Sequence, residues 1–146
     1  MSVDGRAYLD TSALAKWYLN ETHSEDFVAY LQGLDVAVVS SLTCVEMRSM
    51  LSRRRRMGEL TAELESLLFA AFIEDLDCGW LQLYPVTDDR YSVASRLINR
   101  YPEHPLRTLD ALHLVVALHA DIQILATADT VMADTAHAMG FEVMRF

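Results

Sequence analysis

Four carboxylate side chains occupy places in the sequence from which they could share one site. Asp10 ends one short apolar segment, and Asp129 follows another by two residues. Glu46 and Asp110 lie near the starts of helical patterns. Carboxylates within a few ångströms of one another repel, so some must be protonated or share a cation. Mg²⁺ and Mn²⁺ prefer oxygen ligands of this kind, and an ion held there could activate water at a phosphodiester.

Asp110 is the acid that most clearly indicates a bound cation. It lies among the apolar side chains of RTLDALHLVVAL, residues 107–118, and no Lys or Arg follows it until Arg145. A carboxylate in apolar surroundings needs a positively charged partner, or it takes up a proton. The sequence therefore predicts that a metal ion neutralises Asp110.

Each acid also has a purely structural interpretation. Asp10 and Asp129 are suited to be helix N-caps. Glu46 could complete a capping box with Thr43, and Asp110 could favour the dipole of its helix. Any one of these interpretations suffices for a single residue. The four acids together favour a shared metal site.

Short apolar runs predict the strands that would position these acids. The five runs are residues 6–10, 35–40, 80–86, 122–127 and 141–146. About seven segments with helical spacing alternate with them, which is typical of a parallel sheet covered by helices on both faces. We predict one three-layer α/β/α domain over residues 1–146, with a mostly parallel five-stranded sheet. Sites in such folds form at the carboxyl ends of the strands.

The composition excludes several classes of protein. Hydrophobic residues make up 52% of the chain, which excludes a disordered protein, and no apolar run reaches the roughly 18 residues of a membrane span. The net charge of −9 is unlike that of a duplex-binding module, which is usually basic. The opening MSVDGRAYLD lacks a signal-peptide pattern, and two distant cysteines, Cys44 and Cys78, make no disulfide framework. We therefore expect a cytoplasmic protein.

The positive charge is concentrated in one segment. Five of the 12 basic side chains fall within nine residues, namely Arg48, Arg53, Arg54, Arg55 and Arg56. They could form a solvated face that favours the C-terminus of a helix. They could equally bind RNA or an acidic peptide, because an acidic chain can still meet such a partner through a local basic patch.

Two further residues have both a structural and a functional interpretation. His113 lies one helical turn after Asp110, so it could hold a phosphate or tune a carboxylate, although a packed helix histidine is the simpler interpretation. Trp17 is expected in the core, but an exposed Trp17 could anchor a partner helix.

Four segments in order resemble the motifs of PIN-domain ribonucleases. Tyr8–Leu14 (YLDTSAL) resembles the first motif, and Ser40–Arg48 (SSLTCVEMR) resembles the second, with Glu46 as its acid. Residues 108–114 (TLDALHL) resemble the third. The C-terminal end of the family is matched by ATAD at 126–129 and by AMGFEV after it. The resemblance covers nearly the whole chain, and its length and motifs are most similar to VapC-like toxins of type II toxin–antitoxin systems.

That resemblance implies a Mg²⁺- or Mn²⁺-dependent endoribonuclease that dimerises and is inhibited by a cognate antitoxin. By the same resemblance, Asp10 and Asp110 match the principal metal ligands, and Glu46 and Asp129 complete the site. Two supporting polar positions are matched by Ser12 and Thr127. The RNA or the antitoxin would then contact the arginine-rich segment and Trp17.

Other functions remain open at this point. A PIN-like housekeeping nuclease or an inactive PIN-like protein-binding module would share the same motifs. A receiver domain is disfavoured because it needs a lysine late in the chain, and the only lysine is Lys16. A phosphatase with an aspartyl nucleophile usually has a second acid two residues later, where this chain has Ser12.

Overall fold

The short apolar runs form strands of one sheet, and the amphipathic segments form the helices between them. The computed structural model describes residues 5–146. Residues 1–4, which belong to the predicted domain and to the N-terminal segment without a signal-peptide pattern, lie outside the described residues. The strands are β1 (Arg6–Leu9), β2 (Val36–Ser40), β3 (Leu81–Tyr84), β4 (Ile124–Thr127) and β5 (Glu142–Arg145). The helices are α1 (Thr11–Tyr18), α2 (Ser24–Gln32), α3 (Ser41–Arg56), α4 (Ala62–Asp77), α5 (Asp89–Arg100), α6 (Thr108–His119) and α7 (Thr130–Met139).

All the strand pairs are parallel, in the order β3-β2-β1-β4-β5. Alternate residues of a strand face opposite sides of a sheet, and each side here is covered by its own apolar cluster. Tyr8 and Val38 belong to the cluster beneath α5, α6 and α7. Ala7, Leu9 and Val39 belong to the cluster beneath α1 to α4. The predicted three-layer α/β/α fold with a five-stranded sheet is confirmed.

The strand order explains where a site can form. The chain adds β2 and β3 on one side of β1, and then β4 pairs with the other side of β1. Connections therefore leave the carboxyl ends of β1 and β4 in opposite directions, which opens a crevice between them. Asp10 directly follows β1, and Asp129 lies two residues after β4. Two of the four predicted acids thus lie at the switch point of the sheet.

Helix α6 brings two more candidate residues to the same crevice. Seven consecutive residues, 111–117, are buried between the sheet and the neighbouring helix α5. Asp110 precedes this buried run, and His113 lies inside it. Within residues 5–146, no helix is long and apolar enough to span a membrane.

Candidate active site

The structure places all four predicted acids around one cavity. Asp10, Glu46, Asp110 and Asp129 line a cavity of about 610 Å³ at the carboxyl ends of β1 and β4. We call it the acid cavity. The convergence predicted from four separate segments is therefore observed.

Asp10 is both a helix cap and the most buried of the four acids. Its Oδ1 accepts hydrogen bonds from the Ala13 backbone N–H at 3.0 Å and from Ser12 Oγ at 2.7 Å. Its Oδ2 accepts one from Thr127 Oγ1 at 2.6 Å. Burial raises the pKa of Asp10 even though His113 and these hydrogen bonds act in the opposite direction. A charged Asp10 is thus costly without a further cation near it.

Ser12 and Thr127 connect the two strand ends. Besides their bonds to Asp10, Ser12 Oγ accepts from the Ala128 N–H at 2.9 Å, and Thr127 Oγ1 accepts from the Asp129 N–H at 3.0 Å. The two hydroxyl groups therefore hold the segment after β4 against the start of α1. They fix the position of Asp10 relative to Asp129, which suits the supporting positions expected for them.

Asp110 has a cationic partner that the sequence argument missed. Arg107 donates from Nε to Asp110 Oδ2 at 3.3 Å and from Nη2 to Asp129 Oδ2 at 3.1 Å. Arg107 precedes Asp110 by three residues, and residues at this spacing lie on the same face of a helix. Arg145, the next basic residue after Asp110, instead bonds to Asp134. The expectation that Asp110 lacks a basic partner is therefore wrong.

The Arg107 bridge does not balance the charge of the cavity. Its side chain is 73% exposed, so water and salt weaken its attraction for both carboxylates. Burial raises the pKa of Asp110, with Asp129 adding to the rise and Arg107 opposing it. Asp129 also caps α7, accepting from the Met132 N–H at 2.9 Å, so its structural interpretation holds beside the functional one.

Glu46 takes no part in the capping box proposed for it. Ser40 and Thr43 form the box of α3 instead. Glu46 Oε1 accepts a hydrogen bond from Thr11 Oγ1 at 2.6 Å and lies 2.5 Å from His113 Nε2. Burial raises the pKa of Glu46, but His113 and Thr11 outweigh burial and hold that pKa below its usual value. Glu46 is therefore a charged member of the cavity at neutral pH.

His113 is buried and has a partner on each ring nitrogen. Its side chain is 2% exposed, with Nε2 on Glu46 and Nδ1 2.5 Å from the Tyr8 hydroxyl. The packed-histidine interpretation accounts for its burial, and the carboxylate interpretation accounts for its bonds. Thr11 and Tyr8 were missed from the sequence, although both flank Asp10 within the first motif.

The five clustered arginines separate into different roles. Arg48 and Arg55 approach Glu65 at 4.0 and 3.1 Å. Arg54 bonds to Glu21 at 2.5 Å, and Arg56 donates to Ser52. Arg53 is exposed and lines the acid cavity, and no ion pair among residues 5–146 includes it. Arg53 is thus the arginine of this segment best placed to meet a ligand of the cavity.

Trp17 is half-buried and is not a free anchor. Its ring packs on Trp80 with the ring centroids 4.7 Å apart. It also borders the groove between α1 and α2, next to Tyr18. The core interpretation accounts for most of its surface, and a partner could reach only its groove side.

The donor set of the acid cavity fits a hard divalent ion, whereas its present spacing does not yet form a complete site. Carboxylate and hydroxyl oxygens are the ligands that Mg²⁺ and Mn²⁺ prefer. Among the described residues, however, no group of three or more His, Cys, Asp or Glu side chains stands close enough to hold an ion together. Metal binding would therefore require the carboxylates to close in, with Arg107 releasing Asp110.

Comparison with known proteins gives a family match over most of the chain. The sequence profile of the PIN domain matches residues 7–138. Ribonuclease VapC46 of Mycobacterium tuberculosis is 31% identical over 144 residues, which make up 94% of this chain and 95% of that protein.

Solved structures share the fold at lower identity. The crystal structure of VapC20 of M. tuberculosis, a toxin that cleaves the sarcin–ricin loop, matches with a TM-score of 0.72 at 19% identity, over 92% of this chain and 95% of that one. FitAcB of Neisseria gonorrhoeae matches with a TM-score of 0.72 at 17% identity, over 94% and 96%. VapBC-5 of M. tuberculosis, from a toxin–antitoxin family, matches with a TM-score of 0.64 at 19% identity, over 97% and 99%.

Proposed function

This chain belongs to the PIN domain family, and from that premise we propose that it is a Mg²⁺- or Mn²⁺-dependent endoribonuclease that hydrolyses phosphodiester bonds of RNA. The observation that carries the proposal is the meeting of four carboxylates in one cavity at the switch point of the sheet. The ribonuclease relative at 31% identity supports the choice of RNA as the substrate class.

Asp10 and Asp110 would be the principal metal ligands, with Glu46 and Asp129 completing the site. A bound ion would supply a Lewis acid that makes water nucleophilic near neutral pH and stabilises charge on the phosphate. Two properties of the chain support this assignment. Burial raises the pKa of both Asp10 and Asp110, so each carboxylate gains from a nearby cation. The exposed Arg107 side chain can leave Asp110 at little cost.

RNA would reach the cavity past Arg53. A cavity rich in carboxylates repels the phosphate backbone, so a substrate needs positive charge at the entrance. Arg53 provides a guanidinium on the wall of the cavity, and it is not occupied by a carboxylate within residues 5–146. Arg107, once released from Asp110, would be a second phosphate contact.

The biological role that fits best is the toxin of a type II toxin–antitoxin pair acting in the cytoplasm as a homodimer. Support comes from VapBC-5, named as a member of a family of toxin–antitoxin systems, and from VapC20, named as a toxin. The antitoxin would lie in the groove between α1 and α2, beside Trp17 and Tyr18. A housekeeping nuclease would keep the same chemistry without that partner.

One observation favours a second candidate, an inactive PIN-like protein-binding module. Arg107 already bridges Asp110 and Asp129, and no three acids of the described chain are spaced to hold an ion. In an inactive module, the bridge would be permanent and the cavity would serve as a binding surface.

Cleavage of RNA under controlled metal conditions separates these candidates. We expect the purified chain to cut single-stranded RNA with Mn²⁺ or Mg²⁺ and to lose activity in EDTA. Asp10→Asn should remove the activity, whereas Asp134→Asn, at a surface pair with Arg145, should keep it. Equal cleavage by the parent and Asp10→Asn would point to a contaminating nuclease, and no cleavage with either metal would favour the inactive module.

A further inference from the structure

A buried hydrogen-bonded chain leads from the second strand to Glu46. Glu46 Oε1 lies 2.5 Å from His113 Nε2, and His113 Nδ1 lies 2.5 Å from the Tyr8 hydroxyl. That hydroxyl lies 3.0 Å from Ser40 Oγ. Tyr8 and Ser40 are fully buried and His113 almost so, which leaves little freedom in any of these contacts. This series of hydrogen bonds connects β1, β2 and α6 with a carboxylate on α3.

The protons of this chain can be arranged in only a few ways. The Tyr8 hydroxyl carries one proton. If the Tyr8 hydroxyl donates its hydrogen bond to His113 Nδ1, a neutral imidazole carries its own proton on Nε2 and donates a hydrogen bond to Glu46. If the Tyr8 hydroxyl donates to Ser40 instead, His113 Nδ1 must donate to Tyr8. Nε2 can then also donate to an ionised Glu46 only when both ring nitrogens carry protons. With an ionised Glu46, both arrangements require a proton on Nε2, which donates to Glu46 Oε1.

The second contact of Glu46 falls on the same oxygen. Thr11 Oγ1 also donates to Oε1, at 2.6 Å, so two donors hold one oxygen of this carboxylate. No hydrogen bond from residues 5–146 reaches Oε2. The carboxylate is therefore held by one oxygen, and the other is left for a ligand in the acid cavity.

We propose that His113, held by Tyr8, is a positioning residue that orients Glu46 so that Oε2 completes the metal site. This inference rests on the proposed function. It assigns a role to a histidine that touches neither the metal nor the RNA. Partners that hydrogen-bond to metal ligands typically change metal affinity by about 10–100-fold when they are removed.

The packing around His113 explains why its ring keeps one orientation although the cavity is open to water. The Tyr8 and His113 rings meet edge to face, with centroids 5.6 Å apart and the planes at 63°. Rotation of the imidazole about its χ2 angle would break the contact with Tyr8 and the contact with Glu46 together. Helix α6 is buried along residues 111–117, so its backbone cannot shift to restore them. His113 is consequently a rigid support for the carboxylate of Glu46, whose side chain is 23% exposed.

The test compares amide replacements that preserve different parts of the imidazole. The amide of His113→Gln can place its NH₂ group near the position of Nε2 and keep the bond to Glu46. The shorter amide of His113→Asn reaches only the position of Nδ1. Titration of each variant with Mn²⁺, followed by the electron paramagnetic resonance of free Mn²⁺, should show affinity about 10-fold weaker for Asn. The loss for Gln should be much smaller.

Two further variants keep the result interpretable. Tyr8→Phe removes only the hydroxyl and keeps the ring in the core, so it should weaken Mn²⁺ binding without unfolding the chain. His119→Gln alters an exposed histidine of the same helix and should change nothing. At saturating Mn²⁺, the KM for RNA should stay at the parent value in every variant, because His113 does not contact RNA.

The outcomes separate this inference from the proposed function. Parent affinity in His113→Asn and Tyr8→Phe, with RNA cleavage intact, would overturn the positioning role and leave the nuclease proposal standing. A parent chain that binds no Mn²⁺ would overturn the metal site itself and the positioning role with it. Equal losses for Gln and Asn would also contradict it, because they would indicate a general packing defect.

Discussion

Helix α3 contributes to two charged clusters, and the two differ in how the charge of a carboxylate is compensated. On one face, Glu65 of α4 lies between Arg48 and Arg55; we call this the Glu65 cluster. The Glu65 side chain is 5% exposed, and its charge is met by two guanidinium groups. On the other face, Glu46 enters the acid cavity and contacts His113, while Arg107 contacts Asp110 and Asp129 there.

Under the proposed function, the difference separates charge used for structure from charge reserved for a ligand. In the Glu65 cluster, positive charge exceeds negative charge, and Arg48 also stacks on Phe69 of α4 at 4.7 Å. These contacts hold α3 against α4. In the acid cavity, one exposed guanidinium, that of Arg107, bridges two of the acids, and burial raises the pKa of Asp10 and of Asp110. We expect a bound cation to relieve this strain, as the proposed function requires.

The largest effect is expected from removing one charge of the acid cavity. Asp110→Asn should lower RNA cleavage by about 100-fold or more, because it removes a metal ligand. It should leave the free energy of unfolding at least as high as in the parent chain, because it relieves repulsion with Asp129. Cleavage rates and urea denaturation measure the two quantities.

The pH dependence of that stability gain follows from the pKa of Asp110. The folded state raises this pKa above its ordinary value of 3.8, so folding favours the protonated form. This contribution is present below 3.8 and is lost as the pH rises through the folded-state pKa. The advantage of Asp110→Asn should therefore be present at pH 7 and shrink as the pH falls toward 3.8. A variant less stable than the parent at pH 7 would show that Asp110 is a structural residue.

The Glu65 cluster should respond in the opposite direction. The double change Arg48→Ala with Arg55→Ala leaves a buried carboxylate without a cation and removes the stacking on Phe69. We expect a loss of about 2–3 kcal/mol in the free energy of unfolding, less than the roughly 3–5 kcal/mol of a fully buried broken pair, because both arginines are half exposed.

A matched double change controls for the loss of two arginines. Arg53→Ala with Arg56→Ala breaks no ion pair of the described chain and should stay within about 0.5 kcal/mol of the parent. Chemical denaturation of both double variants measures the contrast. Similar losses in the two would remove the distinction between structural and free arginines on α3.

A smaller effect is expected from the guanidinium that bridges the acids. Arg107→Ala removes the cation that competes with a metal for Asp110 and Asp129, so Mn²⁺ should bind a few times more tightly. Calorimetric titration measures this affinity, and Arg145→Ala, which breaks only the surface pair with Asp134, is the control. Weaker Mn²⁺ binding in Arg107→Ala would mean that the guanidinium holds the acids in place for the metal.

The smallest effect concerns the free arginine at the entrance of the cavity. If Arg53 contacts one phosphate, Arg53→Ala should reduce the slope of log affinity for single-stranded RNA against log salt by about 0.7. Binding measured at several salt concentrations to the cleavage-deficient Asp110→Asn chain gives this slope. Arg56→Ala should leave the slope unchanged, and an equal change in both variants would assign the contact to the whole basic segment.

The fold was predictable because its signals are local. Each strand is a short apolar run between turn-forming residues, and all five strands begin and end within two residues of their predicted bounds. The strand β3 is shorter than predicted, at Leu81–Tyr84 instead of 80–86, since the residues after Tyr84 lead into α5 without pairing. Alternation of strands and helices then leaves the parallel sheet as the arrangement that buries every apolar face.

The candidate site was predictable in its acids but not in their partners. Asp10 and Asp129 follow strands, so the topology alone places them together. The contacts of Glu46 join residues 35 and 67 positions apart, Thr11 and His113, which no local pattern encodes. Arg107 differs, because its spacing of three residues from Asp110 is a local signal that the sequence itself contains.

The position of a divalent ion in crystals grown with Mn²⁺ tests the central claim most directly. The anomalous signal of Mn²⁺ should give one strong peak in the acid cavity, within coordination distance of Asp10 and Asp110. The Arg107 side chain should be displaced from Asp110, and Glu46 Oε2 should be turned toward the peak. Crystals at saturating Mn²⁺ that show no peak there, with Arg107 still bridging Asp110 and Asp129, would contradict the claim that these four acids are kept for a metal.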